Sequence, residues 1–200
     1  FIGWQSGYQS TSASLSNFIG AAAGQQSYDS YRSNFMGLYA GQYSTSSYYS
    51  NFIGYQAGRS VVNAPYSILI GYNAGYAVNS ASNSIGSNNI IIGTNITLAS
   101  GSKDSINIGG LIFGTGSYST TSGNPYSGSV ASGKIGIGIM PTTAKLHVNN
   151  TSADQSFLVE DDTNPDSTPF VIQSSGNIGV GTTSTPAKLT ISASGVDGIL

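Results

Sequence analysis

The chain has 200 residues, a net charge of −2 and only 7% charged residues, with 27 glycines and no cysteine. The missing cysteines exclude a disulfide framework and thiol chemistry. The six basic residues stand singly, which argues against a nucleic-acid partner, and no apolar run approaches the roughly 20 residues of a membrane span.

Residues 1–116 read as one repeat array. Glycines recur at a constant step at Gly3, Gly20, Gly37, Gly54 and Gly71, each followed by a second glycine at Gly7, Gly24, Gly41, Gly58 and Gly75. The unit is roughly Asn-Phe-Ile-Gly-x-x-Ala-Gly followed by a Ser/Thr/Tyr stretch. Ile85-Gly86 continues it at a shortened step, and Ile91-Ile92-Gly93 and Asn107-Ile108-Gly109 follow at irregular spacing. Seventeen residues are too few for a helix pair, and helix-forming residues are scarce. The period suits one coil of a β-solenoid with two short strands and two turns, the turns supplied by glycine. Stacking at about 4.8 Å predicts a ladder of Asn17, Asn34 and Asn51 and another of Ser16, Ser33, Ser50 and Ser67.

Adjacent strand residues point to opposite faces. Phe18 and Ile19, Phe35 and Met36, and Phe52 and Ile53 therefore give every coil two apolar faces. One fills the coil; the other needs a partner. Burial of that seam at about 25 cal/mol per Å² at each coil predicts obligate self-association about a symmetry axis, with either ladder facing the axis.

This unit resembles the head repeats of trimeric autotransporter adhesins, with their Ala-Ile-Gly-x-x-Ala coils, and is similar to 17-residue units of phage tail-fibre and tail-spike proteins. The number three for the assembly comes from that resemblance; the seam alone also allows two.

Residues 117–132 read as a Gly/Ser/Thr-rich connector. Residues 133–200 hold two copies of a 43-residue β repeat. Gly133-Lys134-Ile135-Gly136-Ile137-Gly138 answers to Gly176-Asn177-Ile178-Gly179-Val180-Gly181, and Ala144-Lys145-Leu146-His147-Val148 to Ala187-Lys188-Leu189-Thr190-Ile191. Each copy reads as an alternating strand, a Thr/Pro turn and a second strand. The second copy resembles the motif that precedes the endosialidase-type self-cleaving chaperone domain of phage fibre proteins. The resemblance implies such a domain after Leu200, or its removal by cleavage. Phe1 falls inside a repeat with no initiator Met, so the chain reads as a piece of something longer.

The search for chemistry yields little. Residues 1–102 hold one carboxylate, Asp29, and no histidine, so the acid–base pair of a glycosidase is missing there. His147 reads as a strand residue, its counterpart Thr190 being unable to do its chemistry. Glu160, Asp161, Asp162 and Asp166 read as a solvated turn; oxygen ligands at such spacing also suit Ca²⁺, but no EF-hand pattern is present. The column Thr11, Tyr28, Thr45, Val62, Asn79 is too mixed for an ice-binding array. Tyr28, Tyr31, Tyr48, Tyr49 and Tyr66 are candidate glycan contacts, since aromatic rings stack on sugars; packing along the ladder or at the subunit interface is the favoured role.

The expected protein is all-β: a β-solenoid or β-roll of 17-residue coils followed by short β repeats, in an elongated parallel homotrimer. The expected function is that of a structural, non-enzymatic segment of a phage tail fibre that contributes to host attachment. It requires no cofactor or metal and partners itself and a host surface glycan or protein receptor. Its place would be the virion, or alternatively the cell surface or extracellular space as a bacterial trimeric adhesin or other fibre protein.

Overall fold

The computed structural model describes residues 1–76, 85–116, 134–141, 144, 146–148, 157–159 and 170–191. The expected connector and the acidic turn at 160–166 lie outside these residues. The chain divides into two compact units, Phe1–His147 and Val148–Leu200. The described residues are all-β, with strands and turns and no helix.

The first unit is a regular parallel stack. β1 (Asn17–Ile19), β2 (Asn34–Met36), β3 (Asn51–Ile53), β4 (Ile68–Ile70), β5 (Ile90–Ile92) and β6 (Ile106–Ile108) are each three residues long. They lie side by side in chain order, every strand parallel to the next. The register joins like to like: Asn17 to Asn34, Phe18 to Phe35, Ile19 to Met36. The predicted second strand shrinks to single bridging residues, with Thr11, Tyr28, Thr45 and Val62 paired in a column.

Phenylalanine is the inward residue. Phe18, Phe35, Phe52, Leu69 and Ile91 are fully buried one above another, with Ala23, Ala40, Ala57 and Ala74 beside them. The Phe rings stack face to face at 4.7–4.8 Å between centroids. The second glycine of each unit is explained by this ring, because a Cβ on Gly41 would strike Phe35. The first glycine serves the stack itself: a Cβ on Gly20, at φ +129, would lie 2.6 Å from the Gly37 carbonyl oxygen.

Glycine does not supply the turns alone. Tyr39, Tyr43, Ser46 and Tyr49 all hold φ between 48° and 60°, as do their counterparts one coil earlier and one coil later. Each non-glycine residue there carries a steric cost of roughly 1–2 kcal/mol. What offsets it is hydrogen bonding along the stack. The Tyr39 N–H donates to the Ala21 carbonyl at 3.0 Å, Tyr43 to Gln25 at 2.9 Å, Ser46 to Tyr28 at 2.9 Å and Tyr49 to Tyr31 at 3.1 Å.

Both polar ladders form. Asn17 donates through Nδ2 to Asn34 Oδ1 at 2.8 Å, and Asn34 to Asn51 at 2.7 Å. Inside the coil, the Ser33 hydroxyl donates to the Ser47 carbonyl at 2.7 Å and accepts from the Ser50 N–H at 3.1 Å.

The expected short step at Gly86 is corrected. Gly71 stacks on Gly93, whose carbonyl would meet a Cβ placed there, and β4 pairs directly with β5. This coil therefore runs from Gly71 to Gly93 and is longer than the coil from Gly54 to Gly71, with Gly86 inside the insertion. Asn89 accommodates the extra residues. It takes the place of a ladder serine, its N–H donating to Ser67 Oγ at 3.2 Å. Its Nδ2 reaches the carbonyls of Ile85 at 2.7 Å, Gly86 at 3.1 Å and Ser102 at 2.9 Å, while its Oδ1 accepts from the Ser105 N–H at 3.0 Å. Asn107 then replaces the inward apolar residue. Its side chain binds the Thr97 carbonyl and the Gly110 N–H, and the chain turns back antiparallel into β7 (Ile112–Thr115), β8 (Lys134–Ile137) and, next in order, β9 (Leu146–Val148).

In the second unit β10 (Phe157–Val159), β11 (Phe170–Ile172), β12 (Ile178–Val180) and β13 (Leu189–Ile191) form a four-stranded sheet in chain order. The 43-residue repeat is visible in its strands: β8 and β9 are neighbours, and so are β12 and β13. A Cβ on Gly136 would collide with the carbonyl of Ile139, and one on Gly179 with that of Thr182. The central glycine of each copy thus admits the carbonyl of the third residue after it.

Candidate functional site

Phe18 inward means Ile19 outward. Ile19, Met36 and Ile53 are 37%, 39% and 37% exposed, values that recur because the coils are equivalent. The register extends this column to Ile2 at one end and through Ile70, Ile92 and Ile108 to Ile112 and Ile137. A parallel outward column begins with Asn17, Asn34 and Asn51, then changes to Ile68, Ile90 and Ile106. From β4 to β6 the face is therefore isoleucine in both columns. The next outward positions after the glycine corner add Trp4, Leu38 and Tyr72, all exposed.

The second unit repeats the device. Phe157, Ile172, Ile178 and Leu189 share one register line, and Phe170, Val180 and Ile191 share the next on the same side. Five of these seven are exposed, while Val171 on the opposite side is fully buried. Soluble monomers rarely expose apolar side chains in such continuous rows.

The tyrosines expected to act as glycan contacts separate into a cluster and an outlier. Tyr31 stacks on Tyr48 at 5.1 Å, Tyr49 on Tyr66 at 5.3 Å, and Tyr48 meets Tyr49 and Tyr66 edge-on. Arg32 lies over the Tyr49 ring and donates to its hydroxyl. Burial, then the Asp29 carboxylate, then the neighbouring phenols push the Tyr31 phenol above its usual range. Tyr28 stands apart on the bridge column, exposed.

A second aromatic cluster went unnoticed in the sequence. Arg59 lies 5.3 Å from the Tyr39 ring centroid, 6.0 Å from Tyr43 and 5.9 Å from Tyr76. Tyr55 stacks on Tyr72 at 4.9 Å and meets Tyr39 edge-on. Its signal was present: Tyr8, Gln25, Gln42, Arg59 and Tyr76 follow one another at the period of the array.

Among the described residues no three metal-ligating side chains come together. His147 is a residue of β9. No described helix is long and apolar enough to cross a membrane. No protein family, curated protein or solved structure matches the chain.

Proposed function

We propose that the chain is a structural segment of an extracellular fibre, a phage tail fibre in the first place, built as a parallel homotrimeric solenoid and contributing to attachment at the host surface. The observation that supports this reading is the outward Ile/Met column. A soluble coil has no need of a large apolar residue at the same outward position in every turn, and an in-register copy of the chain satisfies all of them at once. Burial of that column contributes about 25 cal/mol per Å², and the polar Asn17, Asn34 and Asn51 beside it fix register, as single polar positions do in other apolar seams. The Phe column is already filled within the chain, so the Ile/Met column is assigned to the axis. The Gly-Asn-Ile-Gly-Val-Gly motif at 176–181 favours a virion over a bacterial surface.

Light scattering tests the assembly. The protein should run at three times its 20.5 kDa chain mass. The triple variant Ile19→Asp, Met36→Asp, Ile53→Asp should fall to the monomer while keeping its β circular dichroism. A folded, soluble parent monomer at micromolar concentration overturns the reading. For attachment, Tyr48→Ala with Tyr49→Ala should weaken cell binding while the assembled mass stays unchanged.

A further inference from the structure

We propose that Arg59 and its surrounding tyrosines form a binding site for a carboxylate-bearing saccharide. The inference deepens the attachment reading and rests on it. Arg59 is half-buried against Tyr39, Tyr43 and Tyr76, and its Nε is buried without a hydrogen-bond partner. No carboxylate pairs with it among the described residues. The one acidic residue of the first 102, Asp29, lies beside Tyr31 in the other cluster. Among the described residues no carboxylate therefore complements this guanidinium.

The surroundings specify the rest of the ligand. Tyr76 also lines an open depression of about 310 Å³ with Asn73, Asn95, Ile96 and Thr97. Asn73 Nδ2 donates to Asn95 Oδ1 at 2.8 Å, which leaves the Asn95 amide hydrogens as donors at this surface. In the coil before Arg59, Gln42 is 3% exposed and its Oε1 has no partner. Aromatic faces beside amides and a hydroxyl suit the C–H faces and hydroxyls of a sugar, and a planar guanidinium binds a carboxylate in a two-pronged contact. A neutral sugar would leave the guanidinium uncompensated.

The test titrates the full chain with tetragalacturonate, an α2,8-linked sialic acid trimer, cellotetraose and inorganic phosphate, read by calorimetry and tyrosine fluorescence. At least one acidic oligosaccharide should bind, with an affinity that falls as salt rises. Arg59→Gln should weaken it at least about tenfold, Arg59→Lys should fall between the two, and Lys103→Gln, which removes the same charge elsewhere, should bind as the parent does. Cellotetraose should bind at least about tenfold more weakly, and phosphate should not displace the sugar. Binding by neither acidic probe, equal binding by Arg59→Gln, equal binding of cellotetraose, or displacement by phosphate each overturns the proposal. Light scattering on the same samples separates the two readings: a trimer without saccharide binding sinks the site alone, and a monomer sinks the fibre.

Discussion

At the scale of single residues, the glycines divide by what a methyl group would meet. Gly20→Ala forces a side chain into a φ of +129 and into the carbonyl of the next coil. It should cost about 3 kcal/mol or more, seen as a drop in thermal midpoint. Gly110→Ala, at φ +71 with open space around it, should cost only about 1 kcal/mol. Tyr31 provides a pH test. Its folded-state pKa lies above the unfolded value of about 10. Its contribution is therefore complete below pH about 10 and lost as pH rises through the raised value. Tyr31→Phe should flatten the alkaline loss of stability in melts; an unchanged limb would assign that loss elsewhere.

At the scale of the coil, Asn89 and Ser44 make opposite predictions. Asn89→Ala orphans three carbonyls and one N–H in the interior and should cost about 3 kcal/mol or more, against a small effect for exposed Asn17→Ala. Ser44 is fully buried with an unpartnered hydroxyl, and Val61 occupies its place one coil later. Ser44→Val should raise the melting temperature, worth about 1 kcal/mol. The repeat period, the two apolar faces and both polar ladders were legible in the sequence because each is a like-on-like column. The turns were not. Ala22, Tyr39 and Gln56 carry no preference for positive φ, and only hydrogen bonds from the neighbouring coil place them there. Gly86 misled because Ile-Gly looks the same whether it lies in the ladder or in an inserted loop. Of the five nominated tyrosines, four were recognisable as a cluster from their recurrence at the repeat period. The Arg59 group was missed because its members change type from coil to coil.

At the scale of the molecule, apolar faces recur in both sheets, on the stacked coils of the first and on the four strands of the second. The 43-residue repeat also leaves Phe157, Phe170, Val180, Leu189 and Ile191 exposed on one side. If self-association runs the length of the chain, Phe170→Asp with Val180→Asp should weaken the assembly, lowering the scattered mass at nanomolar protein, while the melting of the first unit is unchanged. A parent-like mass across the dilution series would confine the interface to the first unit.

The stack also dictates how the chain gets there. A lone coil must hold four non-glycine residues at positive φ with no neighbour to receive their N–H groups, a debt of several kcal/mol. Two adjacent coils are thus the smallest nucleus, and forming it is uphill. Each later 17-residue coil docks on a finished template and closes a loop of the same length, and only the longer coil from Gly71 to Gly93 adds to the entropic barrier, which grows slowly with loop length. The chain should therefore zip like a one-dimensional crystal. Deleting residues 34–50, one whole coil, should leave the refolding rate nearly unchanged, whereas lengthening a turn between the first coils should slow it.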